Sequence, residues 1–467
     1  MHFSLVESEL PETARPPVYS DRRTLALFAY DWSALGFQRQ ARQWRCQIDH
    51  AGFNLHAFPS NLRLLGFDVQ RYADQLARQA RRLGQSGVVS THEQFGALAA
   101  ALLAERMGWP GTPVRALLAC QHKLHARDVL QQVAPEANIP YQALQVSYHE
   151  DIPHGLRYPL FAKPIKAAFS VLAARMPHRA ALQAHTRFGY WEAWVIRRLV
   201  EPFDAMARQM LGTQRSAHGM MLEAPLDAPQ YNLDGYVYQG DVRAVGVVDA
   251  HMYPGTQAFM RFELPSRLPA LVQARALDVA RRFLHAVGFT HGQFNMEFFY
   301  DAAADRLSVI EFNPRMASQF SDLYLRVKGV DLHAIALALA HGQDPAELPQ
   351  SAPLGGAAAS LVYRTLSVDE PFRLPNAQQR EALQRVLPHA WLFTYPKGSR
   401  GRARDFKWLG SYRFGIVQLH GHDDEHLQRC AELASRLLGW KAPYTPQEVL
   451  PVRWRPAPPA SQWLRTA

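Results

Sequence analysis

Cysteine is nearly missing from this 467-residue chain: there are three, Cys46, Cys120 and Cys430, far apart and odd in number. That excludes a disulfide framework and a zinc site built on C-x-x-C pairs, and it fits a reducing compartment. Long apolar runs are missing too. The richest stretch, residues 95–103, stops at Glu105 and Arg106, well short of the ~18 residues a spanning helix needs. The N-terminus, MHFSLVESELPETARPP, has acids and prolines where a signal peptide has a basic start and an apolar stretch. These absences predict a cytoplasmic protein without a membrane partner. Lysine is scarce, with seven against 44 arginines, in a chain of net charge +10. The arginines are scattered, except in residues 397–407 (KGSRGRARDFK), which read as a basic loop. This reads as a solvated basic surface that attracts small anions, not as a nucleic-acid interface. Where so arginine-rich a chain keeps a lysine, arginine would not have served. The sequence has no P-loop and no G-x-S-x-G.

What is present alternates strand and helix at first. Strands are predicted at 24–30, 53–58 and 87–90, with helices at 34–50, 68–83 and 93–107, which implies a parallel sheet. A helix at 122–133 follows, then strands at 159–164 and 170–175 and a polar, aromatic helical stretch to about 211. From Met220 strands dominate, at 220–226, 231–238, 242–249, 293–301 and 307–313, around a helix at 270–287. A helix at 332–340 and the pair Gly355–Gly356 precede strands near 358–366, 390–395 and 412–420 and a helix near 424–438.

Residues 294–313 (FNMEFFYDAAADRLSVIEFN) read as a hairpin turning at Asp301–Asp305. With the turn centred near residue 304, Glu297 faces Glu311 and Asn295 faces Asn313. Phe294, Met296, Phe298, Ile310 and Phe312 then share the apolar face. Opposed side chains lie ~5 Å apart at Cβ, where like charges repel. A divalent cation removes that repulsion, and an oxygen-only set suits Mg²⁺ together with substrate phosphates.

The segment VIEFNPR, preceded by GQFNMEF, resembles the metal-binding signature of the ATP-grasp superfamily. VVSTHEQFGALAAALLAERMGWPG, CQHKLHARDVL, YPLFAKPI, MLEAPLDAPQYNLDGYVYQGDVRAVGVVD and GVDLHAIALALAHG resemble other parts of that fold, in family order, over roughly residues 87–342. The plan is similar to the carboxylate–amine ligases of the biotin-carboxylase-like branch, which include amino-acid ligases. The resemblance implies a tail (1–22), a Rossmann-like α/β parallel-sheet domain (23–115), an α+β ATP-grasp domain (116–345) with a lid lobe at about 141–222, and a C-terminal α+β extension (346–467). Two lobes would clamp ATP. It also implies nucleotide-binding roles for Lys123 and Lys163, backbone contacts to adenine from the connection that includes Glu223, Ala224 and Leu226, and a ribose contact for Gln230. Glu297, Glu311 and Asn313 would hold Mg²⁺, with Mn²⁺ as an alternative. Arg315 would sit near phosphate or substrate carboxylate, and Arg261 would be a second anion contact.

One departure stands out. After Lys163 the family has a glycine-rich loop whose N–H groups close over phosphates. Here the residues are PIKAAFSVL (164–172), with no glycine; Ala167, Ala168 and Ser170 are small, and Lys166 adds charge. The HGHDDEH run at 420–426 reads as a strand passing into a helix with Asp at the N-cap rather than as a zinc site. His251 and His291 read as core or surface histidines. The resemblance implies an ATP-dependent ligase acting on a small-molecule carboxylate and amine, with a homodimer left open. Two rivals remain: a carboxylase acting on bicarbonate and a biotinylated carrier, for which no M-K-M motif is present, and a nucleotide-binding regulatory protein that has lost turnover.

Overall fold

The computed structural model describes residues 15–29, 31–53, 63, 66–144, 151–167, 172–213 and 215–443. The chain opens with β1 (Arg23–Leu27), α1 (Asp31–Trp44), β2 (Gln47–Ala51), α2 (Val69–Leu83), β3 (Gly87–Ser90) and α3 (Gly96–Met107). The three strands form a parallel sheet in the order β2-β1-β3. Apolar β1 lies at its centre, covered by helices, as buried parallel strands require. The second strand falls earlier than the alternation at 53–58 predicts. β2 is the polar segment QIDHA on the sheet edge, half exposed, so it carries little hydrophobic signal; residues 54–58 lie outside the described residues. α1 correspondingly ends at Trp44, not near residue 50.

Two helices, α4 (Val114–Gln121) and α5 (Lys123–Val133), lead to a second sheet. It is built from β4 (Tyr141–Leu144), β5 (Leu160–Pro164), β6 (Ala174–Met176) and β7 (Met220–Glu223), in the order β4-β7-β5-β6. α6 (Arg179–His185) and α7 (Tyr190–Leu211) fall between β6 and β7.

The third sheet has eight strands in the order β12-β11-β8-β9-β10-β13-β15-β14. Its strands are β8 (Gln230–Tyr238), β9 (Asp241–Met252), β10 (Phe259–Leu264), β11 (Gly292–Asp301), β12 (Arg306–Asn313), β13 (Ala357–Thr365), β14 (Trp391–Thr394) and β15 (Tyr412–Gly421). The C-terminal strands therefore continue the central sheet: β13 pairs with β10 from Arg261↔Leu361 to Leu264↔Ala358. α8 (Ala270–Ala286) packs on the apolar side of β11 and β12, where Phe283 stacks on Phe312 with ring centroids 3.9 Å apart. The remaining helices are α9 (Ser321–Lys328), α10 (Leu332–Ala340), α11 (Ala377–Val386), α12 (Ser399–Leu409) and α13 (Asp424–Leu438). The basic run 397–407, expected as a loop, is largely α12, and Lys397 pairs with Asp405 at 2.7 Å.

α10 ties the first sheet to the rest. Asp331 caps it and accepts from Arg39 Nη2 at 2.6 Å and Gln40 Nε2 at 2.7 Å, both on α1. A Cβ on Gly36 would lie 2.1 Å from the His333 ring, so only glycine lets the two helices approach this closely. None of the described helices is long and apolar enough to cross a membrane.

Candidate functional site

The hairpin of β11 and β12 has the register that its alternation predicts: Asn295 pairs with Asn313 and Glu297 with Glu311. Pairing with β8 extends both rows by one strand, giving Asn232–Glu297–Glu311 and Asp234–Asn295–Asn313 on one face. The opposite face buries Phe294, Met296, Phe298 and Phe312. Ile310 does not join them. The register shifts after Glu297, so that Phe298 pairs with Val309 and Ile310 becomes the extra residue of a bulge. Its carbonyl accepts from Lys163 Nζ at 3.3 Å and from Arg127 Nη2 at 2.9 Å.

The two carboxylates are not equivalent. Burial and the facing Glu311 push Glu297 up to about 7. Burial acts in the same direction on Glu311, but Lys123 and Lys163 outweigh it and hold Glu311 below the usual carboxylate range. Lys123 Nζ lies 3.1 Å from Glu311 Oε2. Asn313 Nδ2 donates to Glu297 Oε1 at 3.1 Å and Gln230 Nε2 to Glu297 Oε2 at 2.8 Å. Asn313 Nδ2 also donates to Asn295 Oδ1 at 3.2 Å, and Asn295 Nδ2 donates to Asp234 Oδ1 at 3.0 Å. Asp234 accepts from Tyr324 Oη at 2.9 Å as well, and burial pushes it up to about 7.

Two acidic side chains forced together, with Asn313 beside them, are a donor set made only of oxygens. The Asn232 amide nitrogen, on a residue 3% exposed, has no hydrogen-bond partner among the described residues and belongs to the same row. Repulsion on Glu297 fits a hard divalent cation; the Asn232 amide nitrogen is a donor and is not one of its ligands. Among the described residues there is no group of three or more His, Cys, Asp or Glu able to hold a metal.

Cations converge from two sides. Lys123 is the first residue of α5, whose N-cap is His122. Lys163 lies on β5 and pairs with Glu223 at 2.9 Å. Glu223 also receives Arg127 Nε at 2.7 Å, and Arg127 Nη1 donates to the Val309 carbonyl at 2.6 Å. Burial alone would raise Glu223, but Arg127 and Lys163 outweigh it and keep it low. This buried trio locks α5, β5, β7 and β12 together. Arg315, just beyond β12, reaches Glu93 of the first sheet unit at 2.8 Å. Beside it a cavity of about 80 Å³ lies between β3, α3, α10 and the start of β11, with Ser90, Thr112, Gln293 and Arg315 in its wall.

The structure thus gathers Lys123, Lys163, Glu223, Gln230, Glu297, Glu311, Asn313 and Arg315. Two of them have side chains already engaged within the protein. The Glu223 carboxylate is engaged by Arg127 and Lys163, and the Gln230 amide holds Glu297. Ala224 and Leu226 lie in the connection between β7 and β8, where the Ala224 N–H already donates to the Pro140 carbonyl at 3.0 Å. Arg261 stands on β10, three strands from β11, and its guanidinium donates to Glu263 at 2.8 Å and to the Pro443 carbonyl at 3.3 Å. His251 pairs with the same Glu263 at 2.9 Å, and His291 meets the Leu339 carbonyl at 2.8 Å. In the HGHDDEH run Asp423 caps α13 by accepting from the His426 N–H.

Three residues escaped the sequence reading. Arg127 follows Lys123 by one helical turn, so the i,i+4 spacing would have placed both on one face of α5. Asp234 alternates with Gln230 and Asn232 along β8, the same period-two signal that revealed the hairpin. Glu93 lies in THEQF, which offers no spacing signal.

No family model matches the chain. A curated relative, carnosine synthase 1 of Gallus gallus, is 41% identical over 91 residues, 19% of this chain and 10% of that protein; the match therefore spans about a tenth of the relative's length. Solved structures resemble the chain over most of its length. L-amino acid ligase from Bacillus licheniformis superposes with a TM-score of 0.65 at 16% identity, covering 90% of this chain and 97% of that one. Biotin carboxylase from Campylobacter jejuni, in a βγ-ATP complex, gives 0.58 at 15% identity, covering 89% and 91%. N5-carboxyaminoimidazole synthase from Aspergillus clavatus, with ADP and 5-aminoimidazole ribonucleotide, gives 0.57 at 14%, covering 90% and 100%.

Proposed function

We propose that this protein, whose fold is that of the ATP-grasp ligases, is an ATP-dependent ligase that activates a carboxylate as an acyl phosphate and joins it to an amine, releasing ADP and phosphate. The observation that carries the reading is the facing pair Glu297 and Glu311, met by Lys123 and Lys163 between the two antiparallel sheets. Glu297, Glu311 and Asn313 would hold Mg²⁺ or Mn²⁺, which when bound supplies neutralising charge to the nucleotide phosphates. Lys123 and Lys163 offer point charges to the same phosphates. We assign adenine to the backbone near Leu226, since the Ala224 N–H is taken. Gln230 is assigned to steadying Glu297 rather than to ribose.

Arg315 has a fork that can hold two oxygens of the transferring group or of the acid, and it borders the cavity where an acid can enter. The chain need supply no nucleophile: its work is positioning and charge stabilisation, and the amine attacks the activated carbonyl. Arg261, held by Glu263, is not assigned a catalytic role. Amino acids are the first acids and amines to try, as the names of L-amino acid ligase and carnosine synthase suggest. The glycine-free segment after Lys163 favours one rival, a nucleotide-binding regulator without turnover. Hydroxylamine trapping with MgATP and a panel of amino acids separates the two. The ligase yields hydroxamate and ADP. Nucleotide binding without either product supports the regulator, and no binding at saturating nucleotide refutes both.

A further inference from the structure

We infer that Lys166 is a third anion-binding cation of this site, contacting a phosphate oxygen directly where the ATP-grasp fold elsewhere uses glycine backbone. The inference rests on the nucleotide reading above. Three contacts stitch the segment after β5 to the junction of α4 and α5. The Lys123 N–H donates to the Ile165 carbonyl at 3.2 Å, Lys123 Nζ donates to the Ala167 carbonyl at 3.0 Å, and Lys166 Nζ donates to Gln121 Oε1 at 3.0 Å. Gln121 is itself oriented, because its Nε2 donates to the Glu93 carbonyl at 3.0 Å, leaving Oε1 for the lysine. The ammonium also lies 5.0 Å from the centre of the Phe203 ring.

Lys166 is only 2% exposed, yet it forms no ion pair among the described residues. An ammonium has three N–H donors, and one amide oxygen and a ring face do not replace a counterion. A buried charge without a partner is costly. Burial accordingly pulls Lys166 down to about 8, with Glu93 and Glu311 acting to raise it and Lys123 and Arg315 to lower it. Those four groups belong to the site already described. With Lys123, Lys163, Arg127 and Arg315, Lys166 makes five cations against the carboxylates Glu93, Glu223, Asp234, Glu297 and Glu311, of which Asp234 and Glu297 are pushed up to about 7. Lys166 also lies beside the N-terminus of an 11-residue helix, where anions are favoured. An anionic ligand would supply the counterion that Lys166 lacks.

Titration calorimetry with inorganic triphosphate, ADP and adenosine tests this on wild type, Lys166→Met and Lys166→Arg. Met keeps the length and the contact with Phe203, and removing an unpaired buried charge should leave the melting temperature unchanged or higher. The expected result is a loss of about 10- to 100-fold in triphosphate and ADP affinity, the scale of a hydrogen bond to a charged group. Adenosine binding should not change, and Arg should recover part of the loss. Equal triphosphate affinity in folded Lys166→Met overturns the assignment and leaves the lysine as a brace for Gln121. If Met does not fold, Lys166→Gln carries the same comparison. Wild type that binds neither triphosphate nor ADP removes the nucleotide reading itself, and the inference with it.

Discussion

Glu297 and Glu311 face each other across β11 and β12, and Lys123 approaches only one of them. If Glu297 holds the cation as proposed, proton and cation compete for it. In the metal-free protein its folded pKa of about 7 lies above the ordinary glutamate value. Between ~4.3 and 7 the folded state thus binds more protons than the unfolded one, and this group's contribution to stability falls as pH rises. Mg²⁺ needs the ionised form. Its stabilising effect on the melting temperature should be large at pH 8 and shrink at pH 6, and Glu297→Gln should flatten that dependence. An Mg²⁺ effect equal at both pH values would exclude Glu297 from the set. Arg315→Lys keeps the charge and loses the fork. Turnover should fall roughly 10²-fold, as removal of a transition-state donor does, with ATP affinity within a few-fold; single-turnover kinetics reads both. Arg127 is structural by contrast. Arg127→Met strands Glu223 beside Lys163 and should cost about 3–5 kcal/mol in denaturant melts, the penalty for breaking a buried pair. The carboxylates were legible because they alternate beside a turn. Arg127 and Glu93 were not, because their partners are distant in sequence.

Among the elements, the hairpin shows what local pattern can and cannot convey. Alternation fixes which residues face each other at 295/313 and 297/311. The bulge at Ile310 leaves no mark in composition, yet it directs a carbonyl to Lys163 and Arg127. α12 misleads in the other direction. Its glycines and charges read as loop, and tertiary contacts hold it: Lys407 pairs with Glu192 of α7 at 2.5 Å, and Trp408 packs with Leu172, Phe188 and Ile196. β2 is missed because an exposed edge strand needs no apolar alternation. The hairpin also depends on α8 behind it. Phe283→Ala would remove the ring stacked on Phe312 and should lower stability by about 3–5 kcal/mol, measured as a shift in denaturant midpoint. A cost below about 1 kcal/mol would mean that the core there can collapse around the loss.

Across the whole molecule, three sheets meet where the charges meet. The first contributes Glu93 and part of the cavity wall, the second Lys163 and Glu223, and the third the carboxylate rows and Arg315. Asp331 fixes the first sheet unit to α10 through Arg39 and Gln40, and the strands after Gly356 widen the third sheet rather than forming another. Which first-unit residue would reach Arg315 was visible only once the chain had folded. The central claim is that this assembly transfers a phosphoryl group from ATP to a carboxylate for capture by an amine. Its most direct test is ADP and phosphate release over a grid of carboxylic acids and amines with MgATP, run on wild type and on Glu311→Gln. The account expects ADP, phosphate and condensed product in equal amounts for at least one acid–amine pair, and none from Glu311→Gln that folds normally. AMP and pyrophosphate as products, or Glu311→Gln turning over at the wild-type rate, would contradict it.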